Sequence, residues 1–496
     1  MAQPYEVIVV GKGNAAMCAA LAARDAGANV VLLEAAPEEE SGGNSRFAGG
    51  PMRFAFDSVE DLKKLTPLTD EEIANTDFGT NTKEEFFDDL YRLTSYRTDP
   101  DLSETLVTRS QETLIWLRSK GVRFVPLYDR QSGVVNGRRK FFGRIPLEVT
   151  GGGAGLVEFL NEAVRKANIE VLYDARAASL IYDGERVSGV RIQHKGRQTE
   201  LHAKSVILAC GGFEANPEMR ARYLGPGWEL AKVRGTRFNQ GDGLKMALDI
   251  GAAPYGNWSG CHATGWELNA PEFGDLSVGD QFQKHSYILG LMINADGKRF
   301  VDEGADLHSF TYAKYGRAVL QQPGQFAWQV YDAKVKPLLR SEYRIKRITR
   351  VSANTLEDLA PQLTGVNADG FLKTVREFNA AARKDIPFNH TIRDGKCTVG
   401  IEPPKSNWAQ PLDTPPYEAY AVTCGITFTW GGLRIDRETA QVLNVHFHRI
   451  PGLYCAGEMV GGLFYFNYPS GTGLVSGAIF GRIAGASAAA AAKTGT

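Results

Sequence analysis

"YEVIVVGKGNAAMCAALAARDAGANVVLLE", residues 5–34, decides the fold. Residues 7–10 form a short, wholly apolar, β-branched run, the pattern of a strand buried on both faces of a parallel sheet. Gly11 and Gly13 follow at once, then an alanine-rich helical segment, then a second apolar run ending at Glu34. This is a complete strand–helix–strand unit of about 30 residues, and each part suits a dinucleotide. Gly11 permits a tight turn, and Gly13 lets the backbone approach a pyrophosphate seated on the helix N-terminus. Glu34 suits a ribose with free hydroxyls rather than a 2′-phosphate. The third fingerprint position is Ala16, which still permits close helix–strand packing. The stretch alone does not separate NAD from FAD.

At 496 residues the chain predicts two or three domains. A formal net charge of −1 gives no electrostatic case for nucleic acid or an anionic membrane as partner. Cysteines at 18, 210, 261, 397, 424 and 455 form no CxxC pair, which argues against an iron–sulfur cluster, zinc ribbon or attached haem held by this chain. No metal site is expected, and reduced thiols fit better than disulfides. The N-terminus lacks a charged leader region, and no run reaches the ~20 uninterrupted apolar residues of a spanning helix. A cytoplasmic location is the expectation. The alanine-rich end reads as a helix trailing into a frayed tail.

Further along, "SGGNSRFAGG" (41–50) is a loop rich in turn residues where the chain leaves the sheet. Segments 84–97 and 102–119 carry helical periodicity, and 150–167 reads as a glycine loop feeding an amphipathic helix. Residues 178–193 read as a hairpin about Asp183-Gly184, and 205–212 as a third buried strand ending in two glycines. Asn216 and Pro217 mark a helix start. From about 255 to 425 the glycine-led rhythm gives way to aromatics and isolated charges, then returns. The fold class expected is α/β: a discontinuous Rossmann-like dinucleotide-binding domain (1–254 and 426–496) with an inserted α+β capping domain (255–425).

"IPGLYCAGEMVGG" (450–462) separates the two dinucleotides. A strand ending at Gly457-Glu458 supplies a second nucleotide contact far along the chain, which suits a long, extended FAD. The glycine-led helix that follows offers amides and a positive dipole to a reduced flavin. Here the sequence resembles the flavoprotein subunits of fumarate reductase and succinate dehydrogenase. "GKGNAAMCAAL", "GGNSRFAGG", "ILACGGFEANPEMR", "GDGLKMALDIGA", "DGKRFVDE" and "GLYCAGEMVGG" carry the resemblance over nearly the whole chain. Within that family, "NWSGCHATGWELNAPEFGD", "TYAKYGR" and "GGLFYFNYPSGTG" look most like the tricarballylate dehydrogenases. The resemblance implies FAD held through Gly11, Gly13, Asn14, Ala15, Ala16, Glu34, Gly42, Gly43, Asn44, Ser45, Gly49, Gly50, Ala209, Gly211, Asp242, Gly457, Glu458, Gly473 and Leu474. Membrane-bound relatives link FAD to a histidine after the first unit. This chain has no histidine before His194, so non-covalent FAD is expected.

The family grips a dicarboxylate with arginines and histidines and protonates it through an arginine. Its "HPT" histidine matches His262, but its proton-donor arginine falls at Leu307, a second histidine at Thr427 and a carboxylate-binding arginine at Tyr468. Three losses disfavour fumarate reduction by the usual proton route and favour a substituted or longer acid. Desaturating such an acid needs a base, a hydride acceptor and cations or donors on the neighbouring carboxylate. The catalytic candidates are His262, Tyr468, Arg317, Tyr312 and His285. Lys284, Tyr287, His308, Lys314 and Tyr315 lie in the same two segments, and Arg299 reads as structural. Tyr312, Tyr315 and Arg317 do not all share one helix face.

The favoured reading is an FAD-dependent desaturation of a polycarboxylate, tricarballylate to cis-aconitate, with electrons passed to a separate protein. In the resembled family that acceptor is a membrane-associated iron–sulfur protein. A 3-ketosteroid-type dehydrogenase fits "NYPSGTG" as well, an enoate reductase remains open, and a flavin-bearing carrier is the reading from another class. Converging Arg, Lys and His would favour the polyacid; few cations and an apolar floor would favour the steroid.

Overall fold

The computed structural model describes residues 4–494. Its main sheet has six strands in the order Gln441–Leu443, Arg449–Cys455, Ser205–Leu208, Val7–Val10, Val30–Leu33, Glu170–Leu172. Val7–Val10 is central and pairs in parallel with Ser205–Leu208 on one side and Val30–Leu33 on the other. All residues of these three strands are buried, which is why they are apolar without alternation. Arg449–Cys455 adds in parallel beyond Ser205–Leu208, so the two ends of the chain build one sheet. Parallel pairing brings the carboxyl ends of these strands to one edge, the usual place for a ligand. Gly11 turns there at φ +107°, where a Cβ would stand 2.9 Å from Cys210 Cα; only glycine fits.

Helix Asn14–Asp25 lies against the C-terminal helix, Thr472–Thr494. Glycines at 473, 477, 481 and 485 form a stripe along one side of the latter. A Cβ at Gly481 would be 3.1 Å from Cys18 Cβ, and one at Gly485 3.0 Å from Ala22 Cβ. The helix is long and apolar enough to cross a membrane, with mean hydropathy 1.4, although Ser476, Arg482 and Ser487 interrupt its apolar run. Yet 67% of that apolar window is buried inside the protein, so its composition answers to packing. The end read as a fraying tail is helical to Thr494, with Lys493 Nζ donating to Ala26 O at 2.5 Å.

The hairpin about Asp183-Gly184 is formed by Ala175–Tyr182 and Val187–His194, and Arg197–His202 makes a third strand. Helices occupy Lys83–Leu93, Pro100–Ser119 and Gly152–Lys166. Asn216 caps Pro217–Leu224 by accepting from Met219 N at 3.1 Å. A second sheet is organised about the long strand Tyr417–Leu433, paired with Pro254–Glu267, Ala327–Tyr331, Arg350–Ala353 and Lys232–Val233. The line drawn at 425 falls inside this continuous strand, which runs between the second sheet and the cofactor-facing segments.

The glycine stripe yields the first prediction. Gly481→Leu is expected to destabilise the protein by about 1–3 kcal/mol through overpacking. A thermal melt with unchanged midpoint would mean that the two helices do not meet as described.

Candidate active site

One continuous cavity opens at the carboxyl edge of the parallel sheet and extends to residues of the second sheet. All the sequence candidates line it except Ala16, Gly42 and Arg317. Ala16 is fully buried in helix packing. Gly42 turns at φ +111° against helix Gly152–Lys166, where a Cβ would stand 2.9 Å from Val157 Cγ1. Both build the site rather than face it. Arg317 follows Gly316 on helix Tyr312–Leu320 and is rotated away from the cavity. Its Nη2 donates to Ser259 O at 2.7 Å, and its guanidinium lies 5.5 Å from the Trp228 ring.

At the cofactor end, Asn14 joins three remote segments. Its N donates to Ser45 Oγ at 3.0 Å and its Nδ2 to Leu474 O at 2.7 Å. Glu34 Oε1 accepts from Ala36 N at 2.8 Å, and burial raises its pKa. Asp242 pairs with Arg176 at 2.8 Å. Glu458 Oε1 accepts from Thr429 N at 2.6 Å and Thr429 Oγ1 at 2.9 Å, while Glu214 Oε1 accepts from Asn44 Nδ2 at 2.6 Å. Burial, then the facing Glu458, pushes Glu214 well above the carboxylate range. Gly13 has an ordinary φ of −77°, and its Cβ would come no closer than 3.4 Å to a protein atom outside its chain neighbours. Nothing in the protein demands a glycine there; a pyrophosphate lying on the helix N-terminus does. The residues fit FAD.

The other end is aromatic and basic. His262 lies opposite Phe428 in the strand pair, next to a register shift that re-aims the side chain. Its ring is 5.3 Å from Phe428, 4.9 Å from Tyr312 and 5.0 Å from Tyr468. Gly316 allows helix Tyr312–Leu320 to sit on the strand, a Cβ there being 2.7 Å from Ala263 O. That contact delivers Tyr312, whose hydroxyl is 2.6 Å from that of Tyr468. Burial holds both phenols above their ordinary pKa, so they are neutral donors. His285 Nε2 lies 2.6 Å from Thr264 Oγ1, and His308 Nε2 lies 3.4 Å from Gln131 Nε2.

Sequence reasoning missed the guanidinium groups that line this end: Arg130, Arg234 and Arg340. Arg234 belongs to "KVRGTRFNQGDG", just before the "GDGL" motif, and that proximity was a usable signal. Arg130 and Arg340 sit in segments with no motif. Lys284 and Tyr287, by contrast, are buried structural groups. Lys284 Nζ donates to backbone carbonyls including Glu342 O at 3.3 Å, and the Tyr287 hydroxyl is 2.6 Å from Thr311 Oγ1. Tyr315 donates to Asp302 O, and Arg299 is paired with Glu303 at 2.6 Å. Among the described residues, no three His, Cys, Asp or Glu side chains are grouped to hold a metal ion.

A family model described as an FAD binding domain matches residues 6–474. The chain belongs to that family. It is similar to a probable fumarate reductase of Shewanella frigidimarina (strain NCIMB 400), 30% identical over 98% of this chain and 74% of the relative. It is also similar to a 3-oxosteroid 1-dehydrogenase of Mycobacterium tuberculosis, 25% identical over 97% of this chain and 98% of the relative. The solved open conformation of a flavocytochrome c3 fumarate reductase matches with TM-score 0.74 and 28% identity, covering 99% of this chain and 79% of that one. This family member is an FAD-dependent oxidoreductase acting on carbon–carbon bonds.

The three imidazoles of its chamber are neutral. Burial first, then Arg234 for His262 and Arg340 for His285 and His308, holds each well below the ordinary value of 6.5. Such a group contributes stability fully above its unfolded value and loses it as pH falls below that value, because only the unfolded chain takes up the proton. His308→Gln is expected to lose less stability than wild type between about pH 7.5 and 5.5, by about 1 kcal/mol. Urea unfolding at the two pH values checks this, and equal losses would mean that His308 takes up its proton as readily in the folded protein as in the unfolded chain.

Proposed function

We propose that this flavoprotein desaturates a polycarboxylic acid next to a carboxylate, tricarballylate to cis-aconitate being the reaction its residues suit. The supporting observation is that Arg130, Arg234 and Arg340 line one chamber with three neutral imidazoles. A polyacid brings several negative charges out of water, and buried anions require fixed cations and donors. The cofactor end about Asn14, Ser45 and Leu474 would hold FAD, which would supply the hydride acceptor. The chain's own part is to hold the carboxylate beside the reacting bond with Arg234, His262 and the phenols, so that enolate-like charge meets donors. His262 Nδ1 is buried without a hydrogen-bond partner, and a substrate carboxylate beside it would raise the proton affinity that burial and Arg234 depress, letting the imidazole take the proton in the complex.

The wall of Phe428, Phe464 and Tyr468, with ring centroids 5.3–5.9 Å apart, favours a second reading in which a ketone bonds the Tyr468 hydroxyl, as in a steroid dehydrogenase. Anaerobic mixing with tricarballylate, succinate, a 3-ketosteroid and a buffer blank separates the two. Flavin bleaching by the triacid is expected; bleaching by the steroid alone transfers the assignment, and bleaching by neither removes the polyacid reading.

We further propose that FAD is bound non-covalently, that electrons leave to a separate iron–sulfur protein at a membrane, and that the enzyme is cytoplasmic. Acid precipitation is expected to leave the flavin colour in the supernatant. Colour retained in the pellet would show a covalent link.

A further inference from the structure

The resemblance puts the family's proton donor at Leu307 and two of its substrate ligands at Thr427 and Tyr468, all uncharged here, yet the chamber does not lack positive charge. Guanidinium groups enter it from three other segments, and those groups are not equivalent.

Arg234 is fully engaged. Its Nε and Nη2 lie 2.7 Å from Asp280 Oδ1, its Nη1 donates to Thr427 Oγ1 at 3.3 Å, and its Nη2 to Gln283 Oε1 at 3.5 Å. The residue that replaces the lost histidine thus accepts from an arginine.

Arg340 is different. Its side chain is only 11% exposed, and its Nε and Nη1 are buried with no hydrogen-bond partner. The nearest carboxylate, Glu342, brings Oε1 to 3.4 Å from Nε, but both Glu342 oxygens are themselves without a donor. The ion pair is therefore present in charge and absent in geometry. The Arg340 backbone is fixed, its N donating to Ser286 Oγ at 3.2 Å beside His285. Leaving a buried donor unmade costs about 1–3 kcal/mol, and more for a charged group. A ligand carboxylate lying along one edge of the planar guanidinium in a bidentate fashion would satisfy one of these two donors together with Nη2.

Arg130, His308 and Asp280, the last already paired with Arg234, line the same cavity. Arg130 makes one long contact, Nη1 to Gly49 O at 3.3 Å. The His308 imidazole is pushed down by burial and then by the charges of Arg340 and Arg130. Glu148 feels the charge of both guanidinium groups but does not line the cavity. Burial raises its carboxyl to about 7, so near neutral pH it supplies only part of a negative charge.

We propose that Arg340, with Arg130 and His308, forms a subsite for a carboxylate remote from the reacting bond, distinct from the carboxylate held by Arg234, His262 and Tyr468. This rests on the polyacid reading and adds to it the residues that count the substrate's carboxylates. The enzyme then selects acids by charge number: triacid over diacid over monoacid. Arginines supplied from new positions replace those lost at Leu307 and Tyr468.

The test is equilibrium titration of oxidised holoenzyme, read by perturbation of the flavin spectrum, with tricarballylate, succinate and propionate. In wild type the triacid binds tightest. Arg340→Gln is expected to weaken tricarballylate by about 10- to 100-fold and propionate by less than about threefold. Arg340→Lys restores part of the loss, since it keeps the charge without the planar fork. Arg130→Gln, at a less buried position, is expected to change selectivity in the same direction. Flavin content and melting midpoint confirm that each variant is folded. Equal weakening of all three acids, or unchanged triacid affinity in both folded Gln variants, overturns the subsite while leaving the polyacid reading in place. A wild-type enzyme that binds none of the acids overturns both.

Discussion

The structure depends on the close approach of its two ends. A cofactor longer than one strand–helix–strand unit needs contacts from remote parts of the chain, and those parts must meet at one edge of one sheet. The C-terminal helix can lie on the first helix only because glycines at 477, 481 and 485 leave room for the backbone of residues 15–22. Asn14 fixes the register by donating to Leu474 O, and the same residue reaches Ser45. Residues 14, 45 and 474 are thereby held by the backbone and side-chain amides of one buried asparagine and a stripe of missing side chains. The positions of Gly457, Glu458 and the helix start at Thr472 follow from this contact.

Much of this was legible in the sequence because it is local and periodic. The apolar run at residues 7–10, the turn at Gly11, the acid at Glu34 and the strand ending at Gly457 each carry their own backbone or burial requirement. The chamber was less legible for a physical reason. Its histidines and tyrosines sit near recognisable motifs, so His262, His285, Tyr312 and Tyr468 were visible. Arg130 reaches the cavity from the single helical turn Tyr128–Gln131 and Arg340 from just before the turn Ser341–Tyr343, and nothing in their neighbouring residues distinguishes a guanidinium that faces ligand from one that faces solvent. Arg317 shows the converse. It looked suitable by proximity to Tyr312, but helical rotation after Gly316 turns it toward Trp228 and the backbone of Ser259. The boundary at 425 was misleading for a related reason: composition changes there, but the strand Tyr417–Leu433 does not break.

The electrostatics of the chamber follow from burial. Removing arginines and imidazoles from water together cannot leave all of them charged. The arginines keep their protons because guanidinium is too basic to lose them, so the imidazoles give way and become neutral. Arg234 tolerates its position through Asp280, whereas Arg340 has only a misaligned carboxylate nearby. The result is fixed positive charge next to neutral groups that donate or accept protons.

The hydroxyl contact between Tyr312 and Tyr468 joins parts of the molecule that the chain keeps separate. Tyr312 starts a helix that rides on the second sheet, while Tyr468 belongs to the loop leading into the C-terminal helix. Chemistry at the chamber is therefore mechanically coupled to the seating of one sheet upon the other. Reaction geometry is set at a seam, and residues that hold the seam closed influence turnover without ever meeting a substrate.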